Sequence, residues 1–496
     1  MARPRRPNLL VLFSDQHQAR ALGAEGHPDL RTPHLDALAA GGTRFTRAYC
    51  QDGICVASRC SLFSGLYPRT LGLRTNENGP PIIDEVESLP RALQRAGYFT
   101  AAFGKRHLKG ACDRGWDLPL EYFSLPGEGE SYVQWIERRG LRDALDRDWA
   151  AEWGQSMDGE RELPFALFSV RASNLPEDAT MEAWTKQRTV ELIRERAGQD
   201  QPFFCFASFY RPHQPYTPLP RYYARFDRSH WGDGRLVGDG LAMPASLRQP
   251  VATLPPVLQH QCQGHNRIWR MDLARRDEQI FRDYLAAYFA LTEEIDDHVG
   301  DILAALDETG QRENTLIVYT SDHGDFVGEH GMGEKCAPGH NVYEATLRIP
   351  SIFAGPGVRS GVESDDLVEL LDLYPTLLDF AEAPAGEGPH PPQGRSLAGA
   401  LTGGERLRRE FLVSENWIQS TVIGRRHKLG VWQEPAPASQ AKFDSREFGD
   451  MLFDRENDPW ETNNLAGRPE LAETEARLRA QLASWQAATP TTAPRE

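Results

Sequence analysis

The chain has 496 residues, of which 40% are hydrophobic and 25% are charged, a composition typical of a soluble globular protein. Its net charge of −16 at pH 7 argues against a nucleic-acid partner and against docking on an anionic membrane. No stretch approaches the roughly 20 apolar residues of a transmembrane helix, and no secretory signal precedes Asn8. Because the seven cysteines are odd in number and form no small disulfide framework, we expect a cytoplasmic protein.

The amino-terminal part of the chain alternates apolar runs with helical patterns that end at glycine or proline. Strands are predicted at Leu9–Phe13, Thr43–Tyr49, Tyr98–Phe103 and Phe203–Phe209, and helices at Cys55–Ser64 and Ser88–Ala96. Continuous apolar strands of this kind are typical of a parallel sheet that is covered on both faces. The stretch 113–196 is weakly patterned and is expected to be an insertion that contains helices.

The remainder of the chain predicts more of the same sheet and then a smaller unit. A helix is expected at Glu278–Thr309, strands at Leu316–Thr320 and Arg348–Phe353, and a helix at Leu367–Phe380, while 232–272 should be irregular. A Pro- and Gly-rich segment then divides the chain into an α/β domain (1–382), a linker (383–409) and a C-terminal α+β subdomain (410–496). The predicted elements of that subdomain are strands at Glu410–Glu415, Thr421–Ile423, Lys428–Trp432 and Met451–Asp454 and a helix at Glu470–Trp485.

Five of the predicted strands lead into polar or ionisable residues. In order these are Asp15 with Gln16, Cys55 with Arg59, Lys105 with His107, His213, and Asp322 with His323. Open α/β sheets bind their ligands at the carboxyl ends of the strands. We therefore expect a single site on an α/β fold with a large mixed, mostly parallel central sheet flanked by helices.

Four of these residues suit a divalent metal. Asp15, Gln16 and Asp322 supply hard oxygen ligands for Ca²⁺ or a similar ion, and His323 can add a nitrogen. Two local alternatives stay open, since Asp322 could cap the following turn and His323 could be a satisfied core histidine.

The remaining residues suit an anionic substrate. The cations Arg59, Lys105 and Lys335 could neutralise a tetrahedral anion. His107 and His213 could move protons. As an alternative, Lys105 and His107 could be solvated surface residues.

The stretch Cys55-Val56-Ala57-Ser58-Arg59 opens a predicted helix and places Cys55 and Arg59 one turn apart on the same face. A helix start with an arginine one turn later is a place where an anion could be held. The alternatives are a buried thiol beside a surface arginine, or a metal site built from Cys50, Cys55 and Cys60. The spacing of these cysteines is unlike the Cys-x-x-Cys pairs of structural zinc.

The same stretch resembles the sulfatase signature Cys-x-Pro/Ala-x-Arg, and Gly104-Lys105-Arg106-His107-Leu108 resembles the Gly-Lys-x-His-Leu element of that family. Further blocks of the family are similar to Ser14-Asp15-Gln16, Arg211-Pro212-His213, Ser321-Asp322-His323-Gly324 and the stretch from Leu452 to Leu465. These motifs occur in the family's order and span most of the chain. The resemblance implies a formylglycine-dependent sulfatase of the alkaline-phosphatase-like superfamily, with 1–382 as its catalytic domain and a small-molecule or carbohydrate sulfate ester as substrate.

The resemblance also implies a modified nucleophile and a metal. Cys55 would be oxidised after translation to formylglycine by a maturation enzyme, and the hydrated diol would attack sulfur. Asp15, Gln16, Asp322 and His323 would hold one divalent metal together with the modified Cys55. Gln16 and His323 stand where many arylsulfatases carry Asp and Asn, which lowers the negative charge around the metal. Ca²⁺ is the first choice, and the lower charge makes Mn²⁺ the alternative.

The other site residues take their expected roles from the same resemblance. Arg59 would hold the diol, and Lys105 and Lys335 would bind the sulfate oxygens. His213 and Lys335 would lie near the leaving-group oxygen. His107 would take a proton from the diol, which expels sulfate and regenerates the aldehyde.

The closest enzymatic alternative on this fold is a phosphonate monoester or phosphodiester hydrolase. The Gln16 and His323 pairing resembles those enzymes as well as choline-sulfatase-like members of the family. The Lys105 and His107 pair favours the sulfatase, because the phosphonate hydrolases usually lack it. Ala57 replaces the commoner proline of the signature.

Overall fold

The computed structural model describes residues 6–74, 76, 81–123, 129–153, 156–157, 170–226, 241–262, 267–268, 271–272, 278–335, 340–384, 386, 388–416, 419–433 and 448–492. Its strands are β1 (Asn8–Asp15), β2 (Thr43–Tyr49), β3 (Phe99–Gly104), β4 (Leu118–Leu120), β5 (Phe203–Pro212), β6 (Arg267–Ile268), β7 (Met271–Asp272), β8 (Thr315–Ser321), β9 (Ser351–Ala354), β10 (Val362–Glu369), β11 (Phe411–Glu415), β12 (Gln419–Gly424), β13 (His427–Trp432) and β14 (Met451–Asp454).

Four helices begin with a proline, and three begin after a serine or threonine whose side chain accepts a backbone N–H of the first turn. The helices are α1 (Pro33–Ala40), α2 (Cys55–Ser64), α3 (Pro68–Leu71), α4 (Leu89–Arg95), α5 (Tyr132–Arg138), α6 (Arg142–Trp153), α7 (Met181–Glu195), α8 (Pro220–Tyr223), α9 (Pro256–Cys262), α10 (Glu278–Glu308), α11 (Glu344–Leu347), α12 (Leu373–Phe380), α13 (Ala398–Thr402) and α14 (Ala472–Ala488). Within the described ranges no helix has both the length and the apolar character needed to span a bilayer.

Eight strands form the large sheet, in the spatial order β10-β2-β9-β8-β1-β5-β3-β4. β9 is antiparallel to its neighbours β2 and β8, and every other pair in this sheet is parallel. A mostly parallel sheet requires helices on both faces. The predicted fold class, a large mixed sheet flanked by helices, is confirmed.

Alternate residues of β1 contribute to two different cores, one on each face of the sheet. Leu9, Val11 and Phe13 pack in a cluster that contains residues of α2, α4 and α12. Leu10 and Leu12 pack in a second cluster with residues of α1, α7 and α10. Every residue of β1 is buried, including Asp15 at its carboxyl end.

The C-terminal part of the chain forms a separate antiparallel sheet in the order β11-β12-β13-β14. Val413, Val422, Leu429 and Leu452 of this sheet pack against α14. The segment 383–409 contains α13, whose Leu401 is buried in the same cluster as α2 and α12. The division of the chain at 382 and 410 remains a prediction.

Several predicted elements have the bounds that the structure shows. β2, α2 and β14 agree with the prediction at both ends, and the long helix is present as α10. The segment 113–196 contains more than an insertion, because β4 joins the large sheet and α7 packs against β3 and β5. The segment 232–272 was expected to be irregular, but its described residues, 241–262, 267–268 and 271–272, include α9 and the short strands β6 and β7.

One predicted element is wrong. Residues from Leu367 were predicted to form a helix, but Val362–Glu369 is the edge strand β10, and the helix α12 begins only at Leu373. The Ser364-Asp365-Asp366 sequence looks like a helix start because short polar residues favour that position. Of these three residues, Asp365 faces solvent on the edge strand, whereas Ser364 and Asp366 are buried.

Candidate active site

The carboxyl ends of five strands bring the predicted residues to one edge of the large sheet. β1, β3, β5 and β8 end at or next to Asp15, Lys105, His213 and Asp322, and β2 leads through a short loop to Cys55. These five strands run in the same direction. β2 runs parallel to β8 because both are antiparallel to β9, which lies between them. The side chains that follow them therefore converge, as expected for ligand sites of open α/β sheets.

Cys55 is the first residue of α2 and lies fully within the protein, with 1% of its surface exposed. Its Sγ atom is 3.1 Å from Nε2 of His323 and 3.9 Å from Oδ1 of Asp15. His107 and His213 line the same cleft as Cys55, and burial lowers the pKa of each imidazole overall, although their interaction with Cys55 raises it. Three imidazoles and a carboxylate thus lie near the cysteine that the sequence analysis predicts to be the precursor of the nucleophile.

Arg59 lies one helical turn after Cys55 and joins the two carboxylates of the site. Its Nε donates to Oδ2 of Asp322 at 2.7 Å, and an Nη atom donates to Oδ2 of Asp15 at 2.9 Å. Further donations go to the carbonyl of Lys105 at 2.5 Å and to the hydroxyl of Ser208 at 3.1 Å. Because Arg59 engages both Oδ2 atoms, the two Oδ1 atoms are left on the side of Cys55 and His323.

The ring nitrogens of two histidines are oriented by backbone carbonyls. Nδ1 of His323 is 2.9 Å from the carbonyl oxygen of Gly324, and Nδ1 of His213 is 2.9 Å from that of Gln214. A carbonyl only accepts, so each Nδ1 carries the proton and each Nε2 is a free lone pair in the neutral ring. The Nε2 of His323 is thereby prepared as a metal ligand.

Lys105 and Lys335 place positive charge around the cysteine. Nζ of Lys105 is 2.5 Å from Oδ2 of Asp15, and Nζ of Lys335 donates to the side-chain oxygen of Gln16. Burial raises the pKa of the Cys55 thiol, but Lys335, Lys105 and His323 outweigh burial and hold that pKa well below its usual value. A site that stabilises a thiolate in this way also favours other anions.

The donor set fits a divalent cation. Ligand atoms of Asp15, Cys55, Asp322 and His323 all lie within 4.8 Å of one another, and all four residues are buried. Two carboxylates with one oriented imidazole are ligands for Ca²⁺ or Mn²⁺ more than for a soft metal. Gln16 is next to this group, with its backbone N–H 3.0 Å from Oδ1 of Asp322, but its side-chain oxygen is engaged by Lys335.

The structure adds supporting residues that the sequence reasoning did not select. The side-chain nitrogen of Gln16 donates to Asp325 at 2.7 Å, and Tyr284 of α10 donates to the same carboxylate. Asp325 belongs to the Ser321-Asp322-His323-Gly324-Asp325 run, so its position in the sequence could have indicated it. Nothing local indicates Tyr284, which approaches from a distant helix.

Gly104 is required by a close approach of two chain segments. It has a φ of +91°, and a Cβ at this position would lie 2.1 Å from the carbonyl oxygen of Ser208. That carbonyl accepts the backbone N–H of Lys105 at 3.0 Å. The glycine therefore allows β3 and β5 to place Lys105 over the site.

The cysteine lies at the base of a cleft of about 880 Å³. Cys55, Lys105, His107, His213 and Lys335 all line it. Its outer walls include apolar and aromatic residues, namely Leu108, Tyr122, Phe123, Trp149, Met157 and Tyr210. The volume is that of a site for a small molecule or a few sugar units.

Comparison with known proteins agrees with this geometry. The family model described as Sulfatase matches residues 7–383, and a second model, N-sulphoglucosamine sulphohydrolase, C-terminal, matches residues 328–488. An uncharacterized sulfatase, YidJ of Escherichia coli strain K12, is 27% identical over 485 residues, which cover 96% of this chain and 86% of the relative.

Solved structures agree at the level of the whole fold. A 2-O GAG sulfatase is 25% identical with a TM-score of 0.72, covering 98% of this chain and 95% of that chain. A phosphonate monoester hydrolase of Agrobacterium radiobacter is 23% identical with a TM-score of 0.76, covering 98% and 96%, a likeness of fold. The fold and the matched models define a sulfuric ester hydrolase of the alkaline-phosphatase-like class. The chain belongs to the sulfatase family.

Proposed function

We propose that this sulfatase uses formylglycine made from Cys55 as the precursor of its nucleophile. The observation that carries this proposal is the position of Sγ, 3.1 Å from Nε2 of His323 and 3.9 Å from Oδ1 of Asp15, at the base of a cleft lined by cations. Formylglycine supplies a hydrated diol, which permits a covalent sulfate ester to be released by elimination. A formylglycine-generating maturation enzyme is therefore a required partner.

The metal ligands are proposed to be Asp15, Gln16, Asp322 and His323 with the modified Cys55. Bound there, Ca²⁺ or Mn²⁺ would supply a Lewis acid that favours ionisation of a ligand oxygen and polarises the ester. Arg59 fixes the spacing of the two carboxylates through their Oδ2 atoms. Ca²⁺ is our first choice because hard oxygen donors dominate the set.

The cations are proposed to bind the transferring group. Lys105 and Lys335 flank the cysteine and lower its pKa, and the same charges would stabilise the equatorial oxygens of a sulfuryl group in the transition state. Burial first, and then Lys105, lower the pKa of His213 to about 4. Because that ring is neutral at pH 7, the ammonium of Lys335 is the better proton donor to the leaving group.

His107 is proposed to accept the diol proton that accompanies sulfate release. Its side chain lines the cleft together with Cys55, and burial lowers its pKa from the usual value. A neutral imidazole at this position can act as the base. The released sulfate then leaves through the cleft.

The substrate is proposed to be a small-molecule or carbohydrate sulfate ester, and the compartment to be the cytoplasm. A cleft of about 880 Å³ accommodates either kind of ester. The six cysteines that the structure describes are all free thiols, which supports a reducing compartment.

The second candidate is a phosphonate monoester or phosphodiester hydrolase. The fold likeness to the phosphonate monoester hydrolase supports it. The pairing of Lys105 and His107, which line the cleft beside Cys55, favours sulfate instead, because the phosphonate hydrolases usually lack that pair.

Comparative turnover tests the choice between the two candidates. Protein co-expressed with a formylglycine-generating enzyme and loaded with Ca²⁺ or Mn²⁺ is assayed on 4-nitrophenyl sulfate and on a 4-nitrophenyl phosphonate. We expect a higher kcat/KM for the sulfate and loss of that activity in Cys55→Ala, while Cys60→Ala keeps it. A higher kcat/KM for the phosphonate would contradict the proposal.

A further inference from the structure

A second basic cavity of about 700 Å³ lies between the edge of the large sheet and the C-terminal sheet. Strand β10, the approach to β11, the β12–β13 turn and α14 form its walls, and none of its described lining residues belongs to the active-site cleft. We call it the arginine groove, and its charged lining residues are Arg406, Arg408, Arg409, Arg425, Arg426, Arg477, Asp366 and Glu410.

Four of the six arginines are held by carboxylates and are structural. Arg406 and Arg425 contact Asp365 at 2.6 and 3.1 Å, Arg409 contacts Asp372 at 2.7 Å, and Arg426 contacts Asp454 at 2.6 Å. Arg409 is also buried. These ion pairs hold the walls of the groove together. Because the carboxylates neutralise these four arginines, the arginines attract an anionic ligand only weakly.

The other two arginines, Arg408 and Arg477, are exposed and have no hydrogen bond or ion pair within the part of the chain that the structure describes. Arg408 adopts a φ of 48°, a left-handed conformation that costs free energy for a residue other than glycine. Arg477 and Gln481 lie one turn apart on the groove side of α14. The groove therefore presents two free guanidinium groups and an amide.

These features are unusual for a chain with a net charge of −16. Long-range electrostatics repels anions from such a protein, so an anion must be held by local groups. The guanidinium fork matches sulfate and carboxylate oxygens bidentately. A single sulfate would fill only a small part of about 700 Å³, so the groove fits an extended ligand with more than one anionic group.

We propose that the arginine groove binds a sulfated oligosaccharide through Arg408 and Arg477, as a second substrate-chain site separate from the cleft. The identification of the anionic groups as sulfates rests on the proposed function. Nucleic acid is disfavoured because the basic residues form one groove in an acidic chain instead of a broad basic face.

Equilibrium binding tests the proposal. A fluorescently labelled heparin-derived hexasaccharide is titrated at low ionic strength, where charge contacts are least screened, with full-length Cys55→Ala protein so that the probe is not hydrolysed. We expect Arg408→Gln/Arg477→Gln to weaken binding about tenfold. The matched control, Arg31→Gln/Arg91→Gln, removes two exposed arginines outside the groove and should bind as tightly as its parent.

Three results would overturn the proposal. They are equal affinity in the groove variant, an equal loss in the control variant, and tighter binding of a polyuridylate of the same charge. A failure of the proposed function remains distinguishable, because it appears as absent turnover of 4-nitrophenyl sulfate by the otherwise unmodified protein. The groove variant should turn over that small ester at the wild-type rate, and a large loss would also count against a separate site.

Discussion

Arg59 is the side chain on which both carboxylates of the candidate metal site depend. It is fully buried, and it contacts Asp15 and Asp322 at 2.9 and 2.7 Å. Burial raises the pKa of Asp15, but Lys105, His213 and Arg59 outweigh burial and hold that pKa below its usual value. The sequence placed Arg59 one turn from Cys55, but it could not show that the guanidinium joins two strands that are far apart in the chain.

The first prediction concerns the loss of this cation. Arg59→Leu should lower the free energy of unfolding by about 3–5 kcal/mol in chelator-treated protein, because two buried carboxylates lose a partner. Saturating Ca²⁺ should recover part of the loss, since the metal neutralises the same carboxylates. Urea unfolding with and without Ca²⁺ measures both effects, with the exposed Arg138→Leu as a control. If Arg59→Leu lowers the free energy of unfolding equally with and without Ca²⁺, Arg59 does not act through the carboxylates that are proposed to bind the metal.

The second prediction concerns pH. Burial raises the pKa of Glu121, on the wall of the cleft, from 4.5 to about 7. Between these values the folded protein keeps a proton that the unfolded chain has released, so the free energy of unfolding falls as pH rises from 4.5 through 7. The free energy of unfolding should fall by about 3 kcal/mol in total across this range.

Glu121→Gln should remove this dependence and should be more stable than the parent at pH 8. Urea unfolding at pH 5 and pH 8 measures the difference. The exposed Glu130→Gln is the control and should keep the parent's slope. An unchanged slope in Glu121→Gln would show that Glu121 is ionised throughout the window.

At the scale of elements, the sequence predicted correctly those helices and strands that are bounded by glycine or by turn residues. α2 ends at Gly65, which has a φ of 69°, and β14 is bounded by turn residues, so both were predicted at both ends. β10 was missed because its Ser364-Asp365-Asp366 sequence resembles a helix cap, and its strand conformation comes from pairing with β2. Pairing partners that are distant in the chain leave no local signal.

The C-terminal sheet is attached to the large domain by a buried ion network. Lys428 of β13 is fully buried and contacts Glu344, at the start of α11, at 3.0 Å, and it also contacts Glu461. Arg455 contacts the same Glu344 at 3.2 Å. The network thus joins three segments across the two sheets.

The third prediction follows from this network. Lys428→Met should lower the free energy of unfolding by about 3–5 kcal/mol, because two buried carboxylates lose a cation. Lys428→Met/Glu461→Gln should recover part of this loss, since one uncompensated charge is removed. A double-mutant cycle in urea measures the coupling. Additive effects would mean that the two residues act independently.

At the scale of the whole molecule, the parallel sheet explains why the sequence alone predicted that five clusters of polar residues form one site. Parallel strands share one carboxyl edge, so strand-end residues such as Asp15 and Asp322 converge whatever their separation in the chain. Tyr284, Trp149 and the arginine groove could not be predicted in this way, because helices and the C-terminal sheet bring those residues into place. The dense Arg406-Leu407-Arg408-Arg409 run was visible, but its partners were not.

The proposed mechanism depends on conversion of Cys55 to formylglycine. The most direct measurement is mass spectrometry of peptides carrying Cys50, Cys55 and Cys60, from protein co-expressed with a formylglycine-generating enzyme. We expect an aldehyde or its hydrate at Cys55, with Cys50 and Cys60 remaining thiols as internal controls. An unmodified thiol at Cys55 in protein that still hydrolyses sulfate esters would contradict the proposed mechanism.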